Sequence, residues 1–447
     1  MAGARRGERG VRADRGSTRR RQADGRGRLV ARPAVKAAAI SPARAAAFDV
    51  IRRVFEHEAY TDRALRTAAA GLADRDRSLA RQLAYGTVQR TRTLDYVIET
   101  VGRRPVRRLD DPVRAALRLG AFQLVFLDGV PRYAAVNESV ELVRRARLER
   151  AVPFTNAVLR RIADEGRASV EALPEVTWEE AALRHSYPDW VAETWWRDLG
   201  AAGAVALMEA QNEAPPTVVR LVRGEVEGVA DPDVPGAWHV DHMDDRMFEE
   251  GRVWPQSVGS QLAGLCVGSQ AGERVLDLCA APGGKATMLA GDVVAVEASA
   301  SRARELEENV ARLGATNVQV VCADGRELPV ALTGFDRALV DAPCSGLGVL
   351  AARPDLRWRS QPLPELQLEL LRAAAARVRP GGTVVYSVCT VNRDEAEAVV
   401  DASGLEVDLS LAEEWPQFRH LTRPGFLQTL PHVHRTSGFF IARLHIP

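Results

Sequence analysis

The stretch Asp277-Leu278-Cys279-Ala280-Ala281-Pro282-Gly283-Gly284-Lys285 decides how the rest of the chain is interpreted. It follows the apolar pair Val275-Leu276 and precedes Ala286-Thr287-Met288-Leu289, so it predicts a strand, a turn and a helix. Small residues in such a turn let backbone N–H groups at a helix N-terminus approach a ligand closely, as in nucleotide-binding α/β folds. Glu297 closes a second apolar run and stands where these folds place the acid that binds a ribose hydroxyl. A lone Gly-Gly turn is equally typical of an ordinary strand-to-helix connection, so the turn alone does not establish a nucleotide-binding site.

Length and composition set the class of protein. The chain has 447 residues, 46% of them apolar, which is enough for two or three domains with buried cores. It contains no long uncharged apolar run and no signal-peptide segment, so we expect a cytoplasmic protein without a membrane partner. The five cysteines show neither C-x-x-C spacing nor paired histidines, which argues against a disulfide framework and against a metal site.

The basic residues are unevenly distributed. Residues 1–36 contain twelve Lys/Arg and three Asp/Glu, so they sum to +9, whereas the net charge of the whole chain is only +1. We therefore expect residues 1–38 to be a disordered basic tail that attracts phosphates electrostatically, although a solubilising tail without a specific role fits equally well. Only two of the 60 basic residues are lysines, Lys36 and Lys285, which suggests that the turn requires a compact ammonium group.

Residues 39–166 are predicted to form a helical domain. Its clearest helix begins at Asp111-Pro112, an N-cap acid followed by a proline at N1, and carries one apolar stripe. Further helices are predicted at 134–147 and 154–163. Residues 167–255 are predicted to be a small α+β connector that contains buried tryptophans and a strand near 217–222.

Apolar runs and helical segments alternate in residues 256–447. This alternation predicts a Rossmann-like α/β domain with a doubly wound, mostly parallel sheet, in which ligands bind at the carboxyl ends of the strands. Residues 438–444 predict a closing antiparallel pair at the edge of the sheet. The predicted strands are 274–278, 293–297, 318–323, 337–340 and 383–386, and the predicted helices are 301–313 and 363–379.

Carboxylates stand at four of the predicted strand ends, namely Asp277, Glu297, Asp324 and Asp341. Beside a small-residue turn they predict a nucleoside cofactor, with Glu297 on the ribose hydroxyls and Asp324 on an adenine amino group. The turn lacks the G-x-G-x-x-G fingerprint of a dinucleotide, which disfavours a nicotinamide-dependent oxidoreductase. S-adenosylmethionine, which has a nucleoside but no phosphate, fits the pattern better.

Two cysteines, Cys344 and Cys389, follow neighbouring predicted strands. A thiolate that adds to carbon 6 of cytosine converts the ring to an enamine, whose carbon 5 can attack a sulfonium methyl group. A nearby cation or helix N-terminus would lower the pKa of the thiol, and Asp341 could hydrogen-bond ring nitrogen 3. Either cysteine alone would be interpreted as a small buried hydrophobe, as we interpret Cys266 and Cys322. The chemistry alone does not decide which thiol attacks.

Longer motifs resemble the RNA cytosine carbon-5 methyltransferases. The resemblance implies Cys389 as the nucleophile and Cys344 as the thiol that assists product release, beside Asp341. The motifs are Cys279-Ala280-Ala281-Pro282-Gly283-Gly284-Lys285, Asp341-Ala342-Pro343-Cys344-Ser345-Gly346, Arg353-Pro354-Asp355-Leu356-Arg357-Trp358 and Tyr386-Ser387-Val388-Cys389-Thr390. The implied cofactor-binding residues are Cys279, Ala280, Ala281, Pro282, Gly283, Gly284, Lys285, Glu297, Asp324 and Asp341.

The helical half resembles the NusB-type RNA-binding domain. Together, the two halves resemble the RsmB/Sun/Fmu family of bacterial 16S ribosomal RNA methyltransferases. The NusB-like motifs include Leu117-Arg118-Leu119-Gly120-Ala121-Phe122-Gln123-Leu124, Ala134-Ala135-Val136-Asn137-Glu138-Ser139-Val140 and Asn156-Ala157-Val158-Leu159-Arg160. The resemblance implies action on small-subunit ribosomal RNA, free or in an assembling small subunit, and we expect the chain to be a monomer. Two alternatives remain: methylation of transfer RNA or another RNA, and a non-catalytic RNA-binding antitermination or assembly factor, which would not need two thiols at adjacent strand ends.

The chemistry also constrains how the RNA is held. The target ring must lie beside both a thiol and the cofactor, so the base has to be unstacked or flipped. Arg353, Arg357, Trp358 and Arg359 could hold the RNA, with arginine on phosphate and tryptophan on a base. A structural role for Trp358 is an equal alternative. The helix predicted after Lys285 is short, which leaves the rim of the cofactor pocket undefined.

Overall fold

The computed structural model describes residues 39–447, so the predicted basic tail lies outside the described residues. The first part of the described chain is helical, as predicted. Its helices are α1 (Pro42–His57), α2 (Thr61–Ala68), α3 (Asp74–Gln89), α4 (Thr91–Gly102), α5 (Asp111–Phe126), α6 (Arg132–Arg145) and α7 (Val152–Glu171).

Helix α5 lies at the centre of this helical part and packs against α1, α4, α6 and α7. Its predicted apolar stripe is buried, including Val113 and Leu117, apart from Leu124, which is partly buried. The N-cap is Asp110 rather than Asp111, and its side chain makes no capping hydrogen bond. Residue 166, the predicted end of this part, lies inside α7, because that helix continues to Glu171.

The middle part combines helices with a small antiparallel sheet in the order β2-β3-β1-β4. Thr177 and Glu180 form a capping box at the start of the first of these helices, which fixes where it begins. Trp195 is fully buried, as predicted for the core. The elements are α8 (Trp178–His185), α9 (Asp189–Ala210), β1 (Val218–Leu221), β2 (Val229–Ala230), β3 (Ala237–His239), α10 (Asp245–Glu249) and β4 (Val253–Pro255).

The last part contains an eight-stranded sheet in which five neighbouring strands are parallel. The strands are β5 (Arg274–Leu278), β6 (Asp292–Glu297), β7 (Val318–Cys322), β8 (Phe335–Asp341), β9 (Val378–Val388), β10 (Glu406–Val407), β11 (Leu427–Thr429) and β12 (Phe439–His445). The helices are α11 (Val258–Leu265), α12 (Ala300–Leu313), α13 (Leu356–Arg359), α14 (Pro364–Ala375), α15 (Glu397–Ser403), α16 (Leu411–Glu414) and α17 (Pro431–His434).

Helices cover both faces of this sheet, as predicted for a doubly wound fold. Leu276 and Val340 point to the face covered by α14, whereas their neighbours Val275 and Leu339 point to the face covered by α11. The strand order is β10-β12-β9-β8-β5-β6-β7, with β11 beside β12. The antiparallel strand β12 therefore lies between β9 and β10 rather than closing the edge.

The segment after the Gly-Gly turn differs from its prediction. Only one turn of 3-10 helix, Ala286–Met288, connects the turn to β6. This crossover is too short for the α-helix that the turn was predicted to start. None of the described helices combines the length and the hydrophobicity needed to cross a bilayer.

Candidate active site

Parallel pairing places the predicted site residues at one edge of the sheet. Strands β6, β5, β8 and β9 are consecutive neighbours, so their carboxyl ends lie side by side. Glu297 is the last residue of β6 and Asp341 the last of β8, while Cys389 follows β9 directly. The sheet register alone thus brings together groups that are far apart in the sequence.

The two predicted catalytic thiols are in contact, with Cys344 Sγ 3.4 Å from Cys389 Sγ. The backbone of the loop after β8 is held against the loop after β9, because the Gly348 amide donates to the Cys389 carbonyl at 3.0 Å. A Cβ on Gly348 would lie 2.0 Å from the Gly438 carbonyl oxygen, so only glycine at position 348 permits the close contact with residue 438.

Asp341 is fixed beside the thiols by two donors. Lys285 donates from Nζ to one carboxylate oxygen at 2.7 Å, and Ser387 donates from Oγ to the other at 2.7 Å. The ammonium group also lies 5.2 Å from the ring centroid of Phe439. Lys285, which the sequence marks by its rarity, therefore places a buried positive charge next to Asp341.

The environment distinguishes the two thiols. The pKa of Cys389 is lowered, chiefly because Cys344 donates a hydrogen bond to its sulfur, and the charge of Lys285 acts in the same direction. The same hydrogen bond raises the pKa of the donor, Cys344, and burial raises it further. We therefore expect Cys389 to be the thiol that ionises first.

The Gly-Gly turn owes its composition to packing and backbone conformation. Gly283 has a φ of 107°, and a Cβ there would lie 2.8 Å from Cδ1 of Leu306. A Cβ on Gly284 would lie 2.6 Å from Nε1 of the Trp254 indole. Burial raises the pKa of Cys279, the residue that begins the turn, to about 12, so its thiol stays neutral. The glycines are therefore explained without a ligand.

The two predicted adenosine-binding acids are held by partly exposed arginines. Glu297 accepts a hydrogen bond from the Ser299 amide at 2.9 Å, and its other oxygen lies 3.6 Å from Arg302. Asp324 follows β7 and accepts hydrogen bonds from the Arg326 guanidinium at both oxygens. These hydrogen bonds lower the pKa of Asp324 to about 2.

Asp277 differs from the other carboxylates at this edge. Its side chain is completely buried, and within residues 39–447 neither carboxylate oxygen has a hydrogen-bond partner. Burial, and secondarily the charge of Asp341, raise the pKa of Asp277 well above its usual range. We expect this carboxyl to be neutral in the folded protein.

The donors and acceptors at this edge fit an adenosine-bearing cofactor. Adenosine offers ribose hydroxyls and an amino group as donors, and Glu297 and Asp324 offer carboxylate oxygens as acceptors. Both acids stand at the carboxyl ends of neighbouring parallel strands, where open α/β sheets bind ligands.

The segment that was predicted to hold RNA instead joins the parts of the protein. Arg357 is completely buried and lies 3.7 Å from the ring centroid of Tyr187. Its guanidinium donates to the Gln89 carbonyl at 2.9 Å, the Ser186 carbonyl at 3.1 Å and Asn212 Oδ1 at 2.9 Å. It is therefore not accessible to RNA, and the prediction for this residue is wrong.

The neighbours of Arg357 occupy the same junction. Trp358 donates from its indole nitrogen to the Val88 carbonyl at 2.7 Å and packs against the core of the helical part, which supports its structural role. Arg353 and Arg359 stack on Tyr60, with their guanidinium carbons 5.0 and 4.0 Å from its ring centroid. The contacts are long-range, and no local pattern in the sequence indicates them.

Glu395 was not among the residues predicted from the sequence. Its carboxylate is completely buried and accepts hydrogen bonds from Ser345 and Thr390, the residues that directly follow the two thiols. An acid just before helix α15 is expected to favour the helix N-terminus, so the sequence offered no separate signal.

Comparison with known proteins identifies the family. The NusB family model matches residues 41–164, and the model described as 16S rRNA methyltransferase RsmB/F matches residues 265–445. The probable ribosomal RNA small subunit methyltransferase B of Bacillus subtilis is 31% identical over 436 residues, which cover 89% of this chain and 97% of that protein. This chain belongs to the RsmB/F methyltransferase family. The Synechocystis protein of the same name is 34% identical, over 90% of this chain and 99% of its own length.

Solved structures agree with this assignment at the level of the fold. PH0851 matches 92% of this chain and 100% of its own, with a TM-score of 0.74 and 24% identity. NSun6 from Pyrococcus horikoshii, solved with SFG, matches 59% of this chain with a TM-score of 0.52 and 22% identity. Membership of the RsmB/F family confirms that the chain is an RNA methyltransferase whose cofactor is S-adenosylmethionine.

Proposed function

We propose that this RsmB/F chain methylates carbon 5 of a cytosine in small-subunit ribosomal RNA through a covalent adduct with Cys389. The observation that carries the proposal is the contact between Cys344 and Cys389, 3.4 Å apart beside Asp341. Methylation of an amino group or a ribose hydroxyl requires no thiol nucleophile. A pair of thiols at the strand ends therefore favours attack on a pyrimidine ring.

The first step is formation of the adduct. The Cys389 thiolate forms a bond to carbon 6, the electrons of the 5,6 double bond shift toward nitrogen 3, and nitrogen 3 takes up a proton from solvent water. The carboxylate of Asp341, held by Lys285 and Ser387, is placed to accept the hydrogen bond from that nitrogen. Carbon 5 of the ring then carries the electron density that the reaction needs.

The second step restores the aromatic ring. S-adenosylmethionine supplies a methyl group on a sulfonium, and Glu297 and Asp324 would hold its adenosine. Once carbon 5 is methylated, a water molecule takes its proton, the double bond between carbons 5 and 6 reforms, the bond from carbon 6 to sulfur breaks, and nitrogen 3 returns its proton to solvent. The departing sulfur of Cys389 becomes a thiolate again, and the thiol of Cys344 stabilises it by donating a hydrogen bond.

The experiment is transfer of labelled methyl from S-adenosylmethionine to deproteinised small-subunit RNA, followed by digestion to nucleosides. We expect the label in 5-methylcytidine at a single position. Partly assembled small subunits and transfer RNA are the matched alternative substrates.

Three outcomes separate the candidates. Label in 5-methylcytidine of transfer RNA alone would overturn the substrate but keep the chemistry. Label on a different atom of the RNA would overturn the thiol mechanism. The absence of transfer to all three substrates would favour a non-catalytic RNA-binding factor.

A further inference from the structure

One buried carboxylate connects the two loops that carry the thiols. Glu395 lies six residues after Cys389 and is completely buried. Its Oε1 accepts hydrogen bonds from the Ser345 amide at 2.9 Å, the Leu363 amide at 3.1 Å and Gln367 Nε2 at 2.9 Å. Its Oε2 accepts from the hydroxyls of Ser345 and Thr390, the latter at 3.2 Å.

Two of these donor residues are the sequence neighbours of the two thiols. Ser345 directly follows Cys344 and Thr390 directly follows Cys389, so the carboxylate holds the next residue of each thiol-bearing loop. The hydroxyl oxygens of Ser345 and Thr390 also lie only 2.9 Å apart. A shift of either loop would break hydrogen bonds that buried groups cannot replace with water.

We propose that Glu395 is a positioning residue that holds Cys344 and Cys389 at contact distance. The consequence for catalysis rests on the function proposed above, whereas the consequence for the distance between the thiols does not. Glu395 touches no reacting atom in this arrangement, because its oxygens are occupied by donors from the two loops and from Leu363 and Gln367.

The chemistry of the network explains why the residue is an acid. Its partners are N–H and O–H donors, and a carboxylate is an acceptor only. Glutamine would place an NH₂ group against some of the same donors and leave them unsatisfied. The negative charge of Glu395 also opposes ionisation of both thiols. An acid beside a nucleophile therefore needs another explanation, and its role in positioning the two loops provides one.

The chain provides a matched control two residues away. Glu397 is also buried, but its carboxylate lies 3.1 Å from His420 Nε2 and 3.6 Å from Arg393, and within residues 39–447 it makes no hydrogen bond to Ser345 or Thr390. The Glu397→Gln variant therefore reports the general cost of neutralising a buried acid in this segment.

The first test measures the affinity of the full chain for phenylarsine oxide in the absence of RNA and cofactor. Phenylarsine oxide binds tightly only where two thiols can ligate one arsenic. We expect Glu395→Gln to weaken its binding by at least about tenfold, since a displacement of the order of 1 Å separates the loops. Glu397→Gln should bind it like the intact chain. Unchanged binding by Glu395→Gln would overturn the proposal, whether or not the protein methylates RNA.

A milder variant keeps the test decisive if Glu395→Gln does not fold. Thr390→Val removes one hydroxyl that donates to Glu395 at almost constant volume, and Thr390→Ser restores it. We expect weaker arsenical binding for Thr390→Val and recovery for Thr390→Ser. Equal binding by all three chains would contradict the positioning role.

The pH dependence of methyl transfer separates positioning from a purely electrostatic effect. If Glu395 holds the thiols together, Glu395→Gln breaks the Cys344–Cys389 hydrogen bond, so the acid limb of the rate moves to higher pH and the rate falls about 10- to 100-fold. If Glu395 acted only through its charge, the same variant would ease thiol ionisation. A limb that moved to lower pH with an undiminished rate would overturn the proposal.

Discussion

The predicted site residues at the carboxyl edge of the sheet form two groups, here called the thiol end and the nucleoside end. The side chains of the two groups are held in different ways. At the thiol end, Cys344, Cys389 and Asp341 are fixed by buried groups, with Lys285 only 10% exposed. At the nucleoside end, Glu297 and Asp324 are held by Arg302 and Arg326, whose side chains are 49% and 45% exposed. The nucleoside end consists of ordinary hydrogen-bonding groups that can exchange partners with a ligand.

This difference matches the demands of the two tasks. Formation of a covalent bond tolerates little displacement of the reacting atoms, so the thiol end needs rigid and desolvated supports. Binding of a nucleoside is a sum of separate hydrogen bonds, each of modest strength. Substitutions should therefore have large effects at the thiol end and small effects at the other.

The largest effect is expected at Cys389. Cys389→Ala removes the proposed nucleophile, so methyl transfer should fall by at least about a thousandfold, as for other lost nucleophiles. The measurement is labelled-methyl transfer to small-subunit RNA at saturating cofactor. Cys322 at the end of β7 is exposed, so its prediction as a buried hydrophobe is wrong. Cys322→Ala is the matched control and should retain activity. Full activity of Cys389→Ala would contradict the expectation that substitutions at the thiol end have the larger effects.

The next effect is expected at Lys285, the buried cation of the thiol end. Its charge helps lower the pKa of Cys389, so Lys285→Met should raise that pKa. Below the pKa, the thiolate fraction falls about tenfold for each unit by which the pKa rises. The measurement is the rate of Cys389 alkylation as a function of pH.

Lys285→Arg provides the control, because it retains the positive charge. It should keep the acid limb of the alkylation rate near its original pH. If Lys285→Met and the intact chain gave superimposable profiles, the ammonium group would have no influence on the thiol.

A smaller effect is expected at Asp277, which lies between the two ends. Its raised pKa means that folding takes up a proton wherever the unfolded carboxyl, with a pKa of about 3.9, is ionised. Stability should therefore fall as the pH rises above about 4, by up to about 1.4 kcal/mol per pH unit until the folded pKa is reached. Asp277→Asn should lack this loss when urea unfolding is followed between about pH 5 and 7.

Asp336, at the other end of β8, is a useful control for this slope. Hydrogen bonds from the Arg274 amide and from Arg379 lower its pKa, so its contribution to stability is lost only as the pH falls through the acidic range. Asp336→Asn should leave the slope above about pH 5 unchanged. Parallel stability curves for the intact chain and Asp277→Asn would show that Asp277 is ionised in the folded protein.

The smallest effect is expected at the nucleoside end. Arg326→Ala removes a partly exposed partner of Asp324, and exposed ion pairs contribute little, so cofactor affinity should change by less than about fivefold. Asp324→Ala removes the proposed acceptor for the adenine amino group and should weaken binding by about tenfold. The measurement is calorimetric titration with S-adenosylmethionine. A larger loss for Arg326→Ala than for Asp324→Ala would assign the site to the arginine instead.

Local sequence patterns predicted most of the sheet. The strand at 274–278 has the bounds of β5, because a run of apolar residues between turn signals reports directly on burial. The strand ends then placed Asp341 and Cys389 at one edge, since the topology of a doubly wound sheet follows from the order of its elements. The contact between the two thiol groups could not be predicted. The positions of the cysteines after neighbouring strands indicated only that they lie near each other.

Long-range polar contacts could not be predicted in this way. Arg357 binds the carbonyls of Gln89 and Ser186, which are 268 and 171 residues distant in sequence. Its burial lowers its pKa to about 10, whereas the sequence suggested a solvent-exposed arginine on RNA. Glu395 was missed for the same reason, because its partners lie in loops that only the folded sheet brings together.

Cys389 is the residue proposed to form the bond to the RNA. The most direct measurement uses Cys344→Ala, which should release its product slowly and accumulate a protein–RNA adduct. After incubation with cofactor and small-subunit RNA, the adduct is digested with nuclease and protease and the modified peptide is sequenced by mass spectrometry. We expect a nucleotide on the peptide that contains Cys389. A nucleotide on any other residue, or an adduct that persists in the Cys344→Ala, Cys389→Ala double variant, would contradict it.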